Sequence, residues 1–463
     1  MFSGSRDAKT ITRMLLTVLV LSVFSADRCA CDGEPCVRIG LTSLGTAIKR
    51  ATFYSVGGIK LFDAAGSLLL ETESEDCVQV FAEGSAFVAR SGLQVKSAPG
   101  PFVRLISRVS DAAVAIQLAD SRSVRRYRGS VEARLVPAGM YLVNIVDTED
   151  YLLGVVPAEM SSRCPLEAVK AQAVAARTYV LANLGKHRSA NFDLCDTSHC
   201  QTYGGVSVET PRAAEAVRTT AHLILTYDGK PASVMYCSDC GGATQDVSQL
   251  RPNVRLPYLC GVREPEDIPH ESWELSMALS DIAKKLVSAG LKQCENMSAI
   301  RVAQTDSSGR VLEFEITTNS GSVQVSGQKV RSAIGSSLMK SLLLSVEQTG
   351  SKVVFKGKGS GHGIGLCQAG AKWLASPPKN WTYDQILAHY FPGTQVRSLE
   401  EVYGWKARAL SLVPLDQPKR LSSEAKEAKQ TLSGSESASG RRNESNSRRD
   451  ITFDVRVEAP NGL

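Results

Sequence analysis

The chain has 463 residues, 43% of them hydrophobic, so it can bury a large core and is long enough for two or more structural units. Its formal net charge of +6 is modest, and no basic cluster is interleaved with aromatic residues. Composition and charge therefore argue against nucleic acid as a partner.

The N-terminus has the pattern of an export signal. Three basic residues precede the apolar run Met14–Phe24, which is shorter than a typical membrane-spanning helix. We predict a signal peptide over residues 1–25, with an uncleaved membrane anchor as the alternative. Twelve cysteines fit an oxidising compartment. The chain is therefore expected to be exported, to the periplasm or the outer face of the cytoplasmic membrane.

The region after the export signal is predicted to be rich in β-structure. Short apolar runs broken by Gly, Ser and Asp indicate strands and turns, and we assign residues 26–126 to this N-terminal region. Similar runs continue into residues 127–405, where they alternate with helical patterns. The residues after this are polar and charged with few apolar positions, so we expect 406–463 to be a disordered tail.

A helix rich in alanine is predicted to begin at Pro165, which suits a first helical position, and to end before Gly185. Glu159 lies just before it, in what we predict to be a short polar turn. Arg177 projects close to the edge of the buried stripe of this helix, where a guanidinium needs an anionic partner or ligand. Glu159 and Arg177 therefore form a candidate constellation, with a structural salt bridge as the alternative.

Further elements follow in chain order. Helices are predicted over Pro211–His222 and Ser276–Leu291, and an Asp-Gly turn at residues 228–229 predicts a hairpin. Residues 299–327 resemble a strand meander with Ser-Gly turns. Two short helices are expected near the end, after a glycine-rich segment and over residues 383–391.

Two cysteine-bearing segments could hold a structural zinc ion. Cys195 and Cys200 lie in one loop, and Cys237 and Cys240 form a C-x-x-C half-site at the end of the hairpin. Disulfides are the competing interpretation in an exported chain. His199, in the first loop, has three readings: metal ligand, acid/base group or structural histidine.

The segment GSGHGIGLCQAGA concentrates glycines around His362 and ends near Gln368. It lacks the Lys-Ser/Thr ending of a phosphate loop and does not fit a dinucleotide fingerprint, so no organic cofactor is predicted. Its backbone could be approached closely by an extended polar ligand, or it could be a turn that packs a strand on a helix. The residue patterns thus predict an exported α+β protein with a substrate groove.

The stretch EDYLLGVVPAEMSSRCPLEAVKAQAVAARTY resembles the signature of the stage II sporulation protein D family, the peptidoglycan lytic transglycosylases. Further stretches agree in the same order, among them CDTSHCQTYGG, LTYDGKPASVMYCSDCGG and GSGHGIGLCQAGAKWLA. The resemblance covers roughly Tyr127–Thr394, so residues 127–405 are similar to the catalytic domain of that family.

The resemblance implies an enzyme that breaks the bond between N-acetylmuramic acid and N-acetylglucosamine and leaves a 1,6-anhydro end. Its substrate would be glycan strands whose peptides an N-acetylmuramoyl-L-alanine amidase has removed. Glu159 matches the catalytic glutamate of the family, and Arg177 matches a second functional position. By the same resemblance, His199, Tyr203, His362 and Gln368 are candidates for lining the groove.

A lone carboxylate suits this chemistry, because the C6 hydroxyl of the sugar can serve as nucleophile and one residue can act as acid and then base. Such an acid needs a raised pKa, which predicts partial burial of Glu159. A tight pair with Arg177 would lower that pKa. We therefore assign Arg177 to substrate or to another carboxylate. A histidine stands where this chain has Cys237 in some relatives, which favours zinc at the four cysteines.

Three other functions compete with this one. A glycan-binding module could have kept the groove and lost turnover. A hydrolase could use Asp147, Glu149 or Asp150 as a second carboxylate. A partner in a wall-remodelling or division complex could dock through the N-terminal region.

Overall fold

The computed structural model describes residues 36–74, 76–119 and 121–404. The predicted signal segment and the predicted polar tail lie outside the described residues, as do the first residues of the N-terminal region. Within the described part, no helix is both long and apolar enough to cross a membrane.

The N-terminal part of the described chain is β-structure, and the predicted α+β class is confirmed. Twelve strands precede the first helix: β1 (Cys36–Gly40), β2 (Arg50–Tyr54), β3 (Ile59–Phe62), β4 (Leu68–Glu71), β5 (Val78–Glu83), β6 (Ala86–Ser91), β7 (Gln94–Pro99), β8 (Phe102–Ser107), β9 (Val114–Leu118), β10 (Val124–Tyr127), β11 (Ser130–Val136) and β12 (Gly139–Asp147).

All described α-helices follow these strands. They are α1 (Thr148–Glu159), α2 (Leu166–Ala182), α3 (Pro211–Thr219), α4 (Val247–Leu250), α5 (Leu279–Ser288), α6 (Gly327–Ile334), α7 (Gln368–Leu374), α8 (Tyr383–Tyr390) and α9 (Leu399–Tyr403). Twelve strands lie between or after them: β13 (Leu194–Cys195), β14 (Leu223–Tyr227), β15 (Lys230–Pro231), β16 (Tyr236–Cys237), β17 (Ser272–Ala278), β18 (Met297–Thr305), β19 (Val311–Thr318), β20 (Gly321–Ser326), β21 (Leu344–Thr349), β22 (Lys352–Lys358), β23 (Leu366–Cys367) and β24 (Gln395–Ser398).

Two large sheets contain the N-terminal strands. One has the order β13-β1-β12-β11-β8-β3-β4, and the other has the order β10-β9-β2-β5-β6-β7. The first sheet thus joins strands from both sides of residue 126. The interior strand β12 of this sheet is buried along most of its length and leads directly into α1. This continuity holds the first helix against the sheet.

The described residues form two main hydrophobic cores. The larger core joins the two N-terminal sheets to α1, α2 and the glycine-rich segment near the end. The second core lies among β17–β22, α5 and α6. In it, β18, β19 and β20 form the predicted antiparallel meander.

Most of the predicted local elements are present. Pro165 caps α2, and the hairpin of β14 and β15 turns at Asp228 and Gly229, which have φ of 51° and 69°. These left-handed values suit an Asp-Gly turn. The predicted helix over Ser276–Leu291 begins too early, because residues 272–278 form β17. Side chains along this strand alternate between exposed and more buried positions, and the strand pairs with β22.

Candidate functional site

Glu159 is the last residue of α1 and does not lie in a turn, so the prediction of a short polar turn is wrong. The N-cap of this helix is Asp147, whose side chain accepts hydrogen bonds from the backbone N–H groups of Glu149 and Asp150. Pro157 lies inside the helix near its end. A carboxylate at a helix C-terminus faces the negative end of the helix dipole, which disfavours its charged form.

The Glu159 carboxyl group is half-buried and hydrogen-bonded. Its Oε1 accepts from the backbone N–H of Thr202 at 2.5 Å. Burial raises the pKa of Glu159, although hydrogen bonds from Thr202 and from the Tyr236 hydroxyl act in the opposite direction. This is the environment that a general acid requires.

Tyr236 connects Glu159 to two other segments of the chain. Its hydroxyl accepts a hydrogen bond from Nε2 of Gln201 at 3.1 Å, and its backbone is hydrogen-bonded to the His362 side chain. Tyr236 was not among the site residues predicted from the sequence. The available signal was its position directly before the C-x-x-C motif, on the strand that carries Cys237.

His362 is held as a neutral imidazole. Its Nδ1 accepts from the backbone N–H of Ile364 at 3.0 Å, and burial lowers its pKa to about 4. Gln368 lies nearby in sequence at the start of α7, and its Nε2 donates to Oε1 of Gln172 at 3.2 Å. The buried Nε2 of Gln172 has no hydrogen-bond partner among the described residues.

Arg177 is buried, which contradicts a substrate contact by this residue. Its Nε and Nη2 donate to Oε1 and Oε2 of Glu149 at 2.6 and 2.7 Å. Its Nη1 also donates to the carbonyl of Leu223 at 3.0 Å. All three guanidinium nitrogens thus donate within the protein, and the partner carboxylate is Glu149 instead of Glu159.

Tyr203 is also buried, so it does not line a groove as predicted. Its hydroxyl donates to Oδ1 of Asn144 at 2.9 Å, and its ring packs against those of Tyr127 and Tyr151. The tyrosine anchors the loop after Cys200 to β12. Its neighbour Thr202 is thereby brought to Glu159.

The loop before Thr202 brings four metal-ligating side chains together. One ligand atom from each of His187, Cys195, His199 and Cys200 lies within 4.8 Å of all the others. Nε2 of His187 lies 3.3 Å from Sγ of Cys200, and Nδ1 of His199 lies 3.6 Å from both sulfurs. Hydrogen bonding from the Cys200 thiol lowers the pKa of Cys195 to about 3. This is a Cys₂His₂ donor set.

The predicted ligand set of Cys195, Cys200, Cys237 and Cys240 is therefore wrong as a single group. Cys195 and Cys200 cluster with two histidines, whereas Cys240 clusters with Glu264 and Cys367, and Cys237 is hydrogen-bonded to Cys367. None of the four cysteines forms a disulfide, whereas Cys36 does. His187 was missed because it lies outside the loop motif, but its spacing of eight residues from Cys195 was visible in the sequence.

The carboxylates proposed for a hydrolase lie at the opposite end of α1. Glu149 is bound to Arg177, Asp147 caps the helix, and Asp150 lies 3.9 Å from an Nη atom of Arg128. Nine residues of helix separate Asp150 from Glu159, a rise of roughly 14 Å. Two-carboxylate glycosidases hold their pair about 5 to 10 Å apart. These three residues therefore do not supply a second catalytic carboxylate.

The predicted groove stays a prediction. Two cavities of about 580 and 780 Å³ are present, and neither has Glu159 in its lining. The first lies along β17 and β22, and the second lies between β2 and β5.

Comparison with known proteins extends over the same part of the chain. The stage II sporulation protein family matches residues 137–227, which contain α1, α2 and the Cys₂His₂ loop. A domain of unknown function matches residues 264–365, a range that includes the second hydrophobic core.

Three relatives show how far the similarity extends. An uncharacterized protein of Brachyspira hyodysenteriae is 32% identical over 56% of this chain and 68% of its own length. The amidase enhancer of Bacillus subtilis is 29% identical over 53% of this chain and 40% of its own length. Stage II sporulation protein D of Bacillus subtilis is 27% identical over 55% of this chain and 75% of its own length. The chain belongs to the stage II sporulation protein D family.

Proposed function

We propose that the chain is a lytic transglycosylase that cleaves between N-acetylmuramic acid and N-acetylglucosamine in peptide-stripped glycan strands, leaving a 1,6-anhydro end. Membership of the family supports a cell-wall-related role. The observation that carries the finer proposal is the environment of Glu159. The residue is half-buried with a raised pKa, and the nearest carboxylates in its own helix are at the far end.

One carboxyl group is sufficient for the proposed reaction. The protonated Glu159 donates its proton to the glycosidic oxygen as the bond to C1 breaks. The C6 hydroxyl of the same muramic acid then attacks C1, and its proton passes to the Glu159 carboxylate. A new C1–O6 bond replaces the broken bond, no water is consumed, and the acid is regenerated.

The surrounding residues position this acid. The backbone N–H of Thr202 and the hydroxyl of Tyr236 hold the carboxyl group and stabilise its charged form after proton transfer. His362 and Gln368 remain our candidates for glycan contacts, whereas the predicted third candidate, His199, belongs to the Cys₂His₂ set. Arg177 and Tyr203 take structural roles, because both are buried and hydrogen-bonded within the protein.

The Cys₂His₂ loop fits a structural zinc ion, since two thiols and two imidazoles are a usual tetrahedral zinc set. In this proposal His187, Cys195, His199 and Cys200 hold the ion. It would fix the loop that places Thr202 against Glu159. No step of the reaction depends on it.

The name of the relative called amidase enhancer suggests a partner. We extend this to an N-acetylmuramoyl-L-alanine amidase that removes peptides before this enzyme acts. The same proposal places the protein outside the cytoplasmic membrane, where the glycan lies.

Product mass tests the proposal. The purified chain, a Glu159→Gln variant and a Glu167→Gln control are incubated with peptide-free glycan strands. Glu167 is a suitable control because it is a half-buried glutamate on the neighbouring helix with its own lysine partner. We expect anhydro-ended fragments from the parent and the control, and none from Glu159→Gln.

Two results would overturn it. Fragments heavier by one water would indicate a hydrolase. Retention of glycan without cleavage by the parent would indicate a binding module.

A further inference from the structure

A second cluster of thiols includes Cys237, the residue that directly follows Tyr236. Ligand atoms of Cys240, Glu264 and Cys367 are all buried and lie within 4.8 Å of one another. The thiol of Cys237 is hydrogen-bonded to that of Cys367. The function proposed above uses none of these four side chains.

The backbone brings these residues together from distant parts of the chain. The parallel strands β16 and β23 place Cys237 opposite Cys367. The backbone N–H of Cys240 donates to Sγ of Cys367 at 3.2 Å, so the second cysteine of the C-x-x-C pair returns to the same place, and the chain then turns through Gly241 and Gly242, which have φ of 76° and 116°. A C-x-x-C pair followed by glycines in such a turn lets both sulfurs face one point.

The environment of Cys367 favours a thiolate. The backbone N–H groups of Cys240 and Gly370 donate to its Sγ at 3.2 and 3.3 Å. Thiolates, and not thiols, bind metal ions.

Glu264 is oriented by a set of outer partners. Its side chain is completely buried, its Oε1 accepts from the Tyr390 hydroxyl, and its Oε2 lies 2.9 Å from the Cys240 sulfur. Nε2 of His270 lies 3.1 Å from the same oxygen, and Nδ1 of His270 lies 2.6 Å from Asp239. Ligating carboxylates in metal sites are commonly held in this way by a second layer of hydrogen bonds.

We propose that Cys237, Cys240, Cys367 and Glu264 bind a structural zinc ion, separate from the ion of the Cys₂His₂ loop. Three thiolates and one carboxylate form a closed tetrahedral set of the kind that zinc accepts. A disulfide would use only two of the sulfurs and leave the third thiol beside the buried carboxylate. A divalent cation instead engages all four groups and offsets their charge.

This second ion would brace the proposed active site. Cys237 directly follows Tyr236, whose hydroxyl bonds to Glu159. Cys367 directly precedes Gln368 and lies five residues after His362. The ion therefore ties the strand that carries Tyr236 to the segment that carries both groove candidates.

Zinc content tests the proposal on the full chain, independently of any glycan activity. Elemental analysis by mass spectrometry is carried out on the parent, on Cys240→Ser and Cys367→Ser, and on Cys195→Ser for the loop site. Cys260→Ser is the control, because Cys260 is an exposed thiol in the same region of the chain and belongs to neither cluster. We expect two zinc ions in the parent and the control, and one in each of the other three variants.

A cobalt spectrum supplies a measurement that does not need Cys240→Ser or Cys367→Ser to fold. In the Cys195→Ser chain, bound Co²⁺ should show tetrahedral bands with strong thiolate-to-metal charge transfer, because three thiolates remain in the second site. Full zinc content in a folded Cys367→Ser chain would overturn the proposal. So would a disulfide among Cys237, Cys240 and Cys367 in the isolated parent, read from its intact mass and peptide map.

Discussion

Arg177 and Glu149 form a bidentate ion pair with no exposed surface on the arginine, joining α2 to the first turn of α1 at 2.6 and 2.7 Å. The pair is reinforced by the Leu223 carbonyl, which accepts from Arg177, and by the His222 N–H, which donates to Glu149. Buried charges of this kind are stable only as a complete set. The pair therefore serves the fold instead of the substrate.

Arg177→Met should lower the free energy of unfolding by about 3 to 5 kcal/mol, because it leaves the Glu149 charge buried without a partner. Adding Glu149→Leu should recover much of that loss. Urea denaturation followed by circular dichroism measures both effects, with the exposed Arg163→Met as control. A folded Arg177→Met chain with parental stability and weakened glycan binding would restore the substrate role.

Tyr236→Phe should shift the pH dependence of cleavage. The Tyr236 hydroxyl lowers the pKa of Glu159 by stabilising the carboxylate, so its loss should raise that pKa further. Because the protonated acid is the active form, the alkaline limb of kcat/KM should move to higher pH. Tyr54→Phe is the control, since the Tyr54 hydroxyl donates to Oε1 of Gln117 within an N-terminal sheet, away from Glu159. An unshifted limb in Tyr236→Phe would mean that Glu159 does not set it.

His362 should make the protein less stable in acid. Its pKa is lowered to about 4 in the folded chain from an ordinary value of 6.5, so the unfolded chain binds a proton first as pH falls. Stability is thus lost between about pH 6.5 and 4, by at most about 3 kcal/mol from this group. His362→Gln should flatten that part of the curve of unfolding free energy against pH. Parallel curves for parent and variant would contradict this.

Metal removal should loosen the loop that holds Thr202. A chelator or Cys200→Ser should speed amide hydrogen exchange over residues 195–203, and cleavage should fall, because the N–H of Thr202 no longer meets Glu159. Zinc should restore both in the chelated parent but not in the variant. Cys294→Ser is the control, a buried thiol within the second hydrophobic core. Unchanged exchange after complete metal loss would show that the loop is fixed without an ion.

Local patterns predicted much of this fold. Pro165, the Asp-Gly turn and the alternating strands each depend on nearby residues, so short stretches of sequence were sufficient. The Glu159 turn failed because tertiary packing continues α1 past Pro157, a residue that usually ends a helix. Packing of α1 against β12 and α2 compensates for the backbone hydrogen bond that the proline cannot donate.

The composition of the clusters depended on distant contacts and could not be predicted in the same way. No other proposed ligand lies close to Cys237 and Cys240 in sequence, because their partners Glu264 and Cys367 come from separate segments. The need of Arg177 for an anionic partner was visible in the sequence, but the identity of that partner was not, because Glu149 lies 28 positions away in the chain. Sequence identified the reactive residue types, and the fold decided which of them meet.

Helix α1 has the ion pair in its first turn and the acid at its last residue. A helix of this length is stiff, so tilting one end by about 4° swings the other end, roughly 15 Å away, by about 1 Å. A misplacement of this size can cost about a hundredfold in rate. The Glu149–Arg177 pair thus helps to set the position of the Glu159 carboxyl group from the other end of the helix. Substitutions at this buried pair, away from the proposed glycan contacts, could therefore change the rate of cleavage.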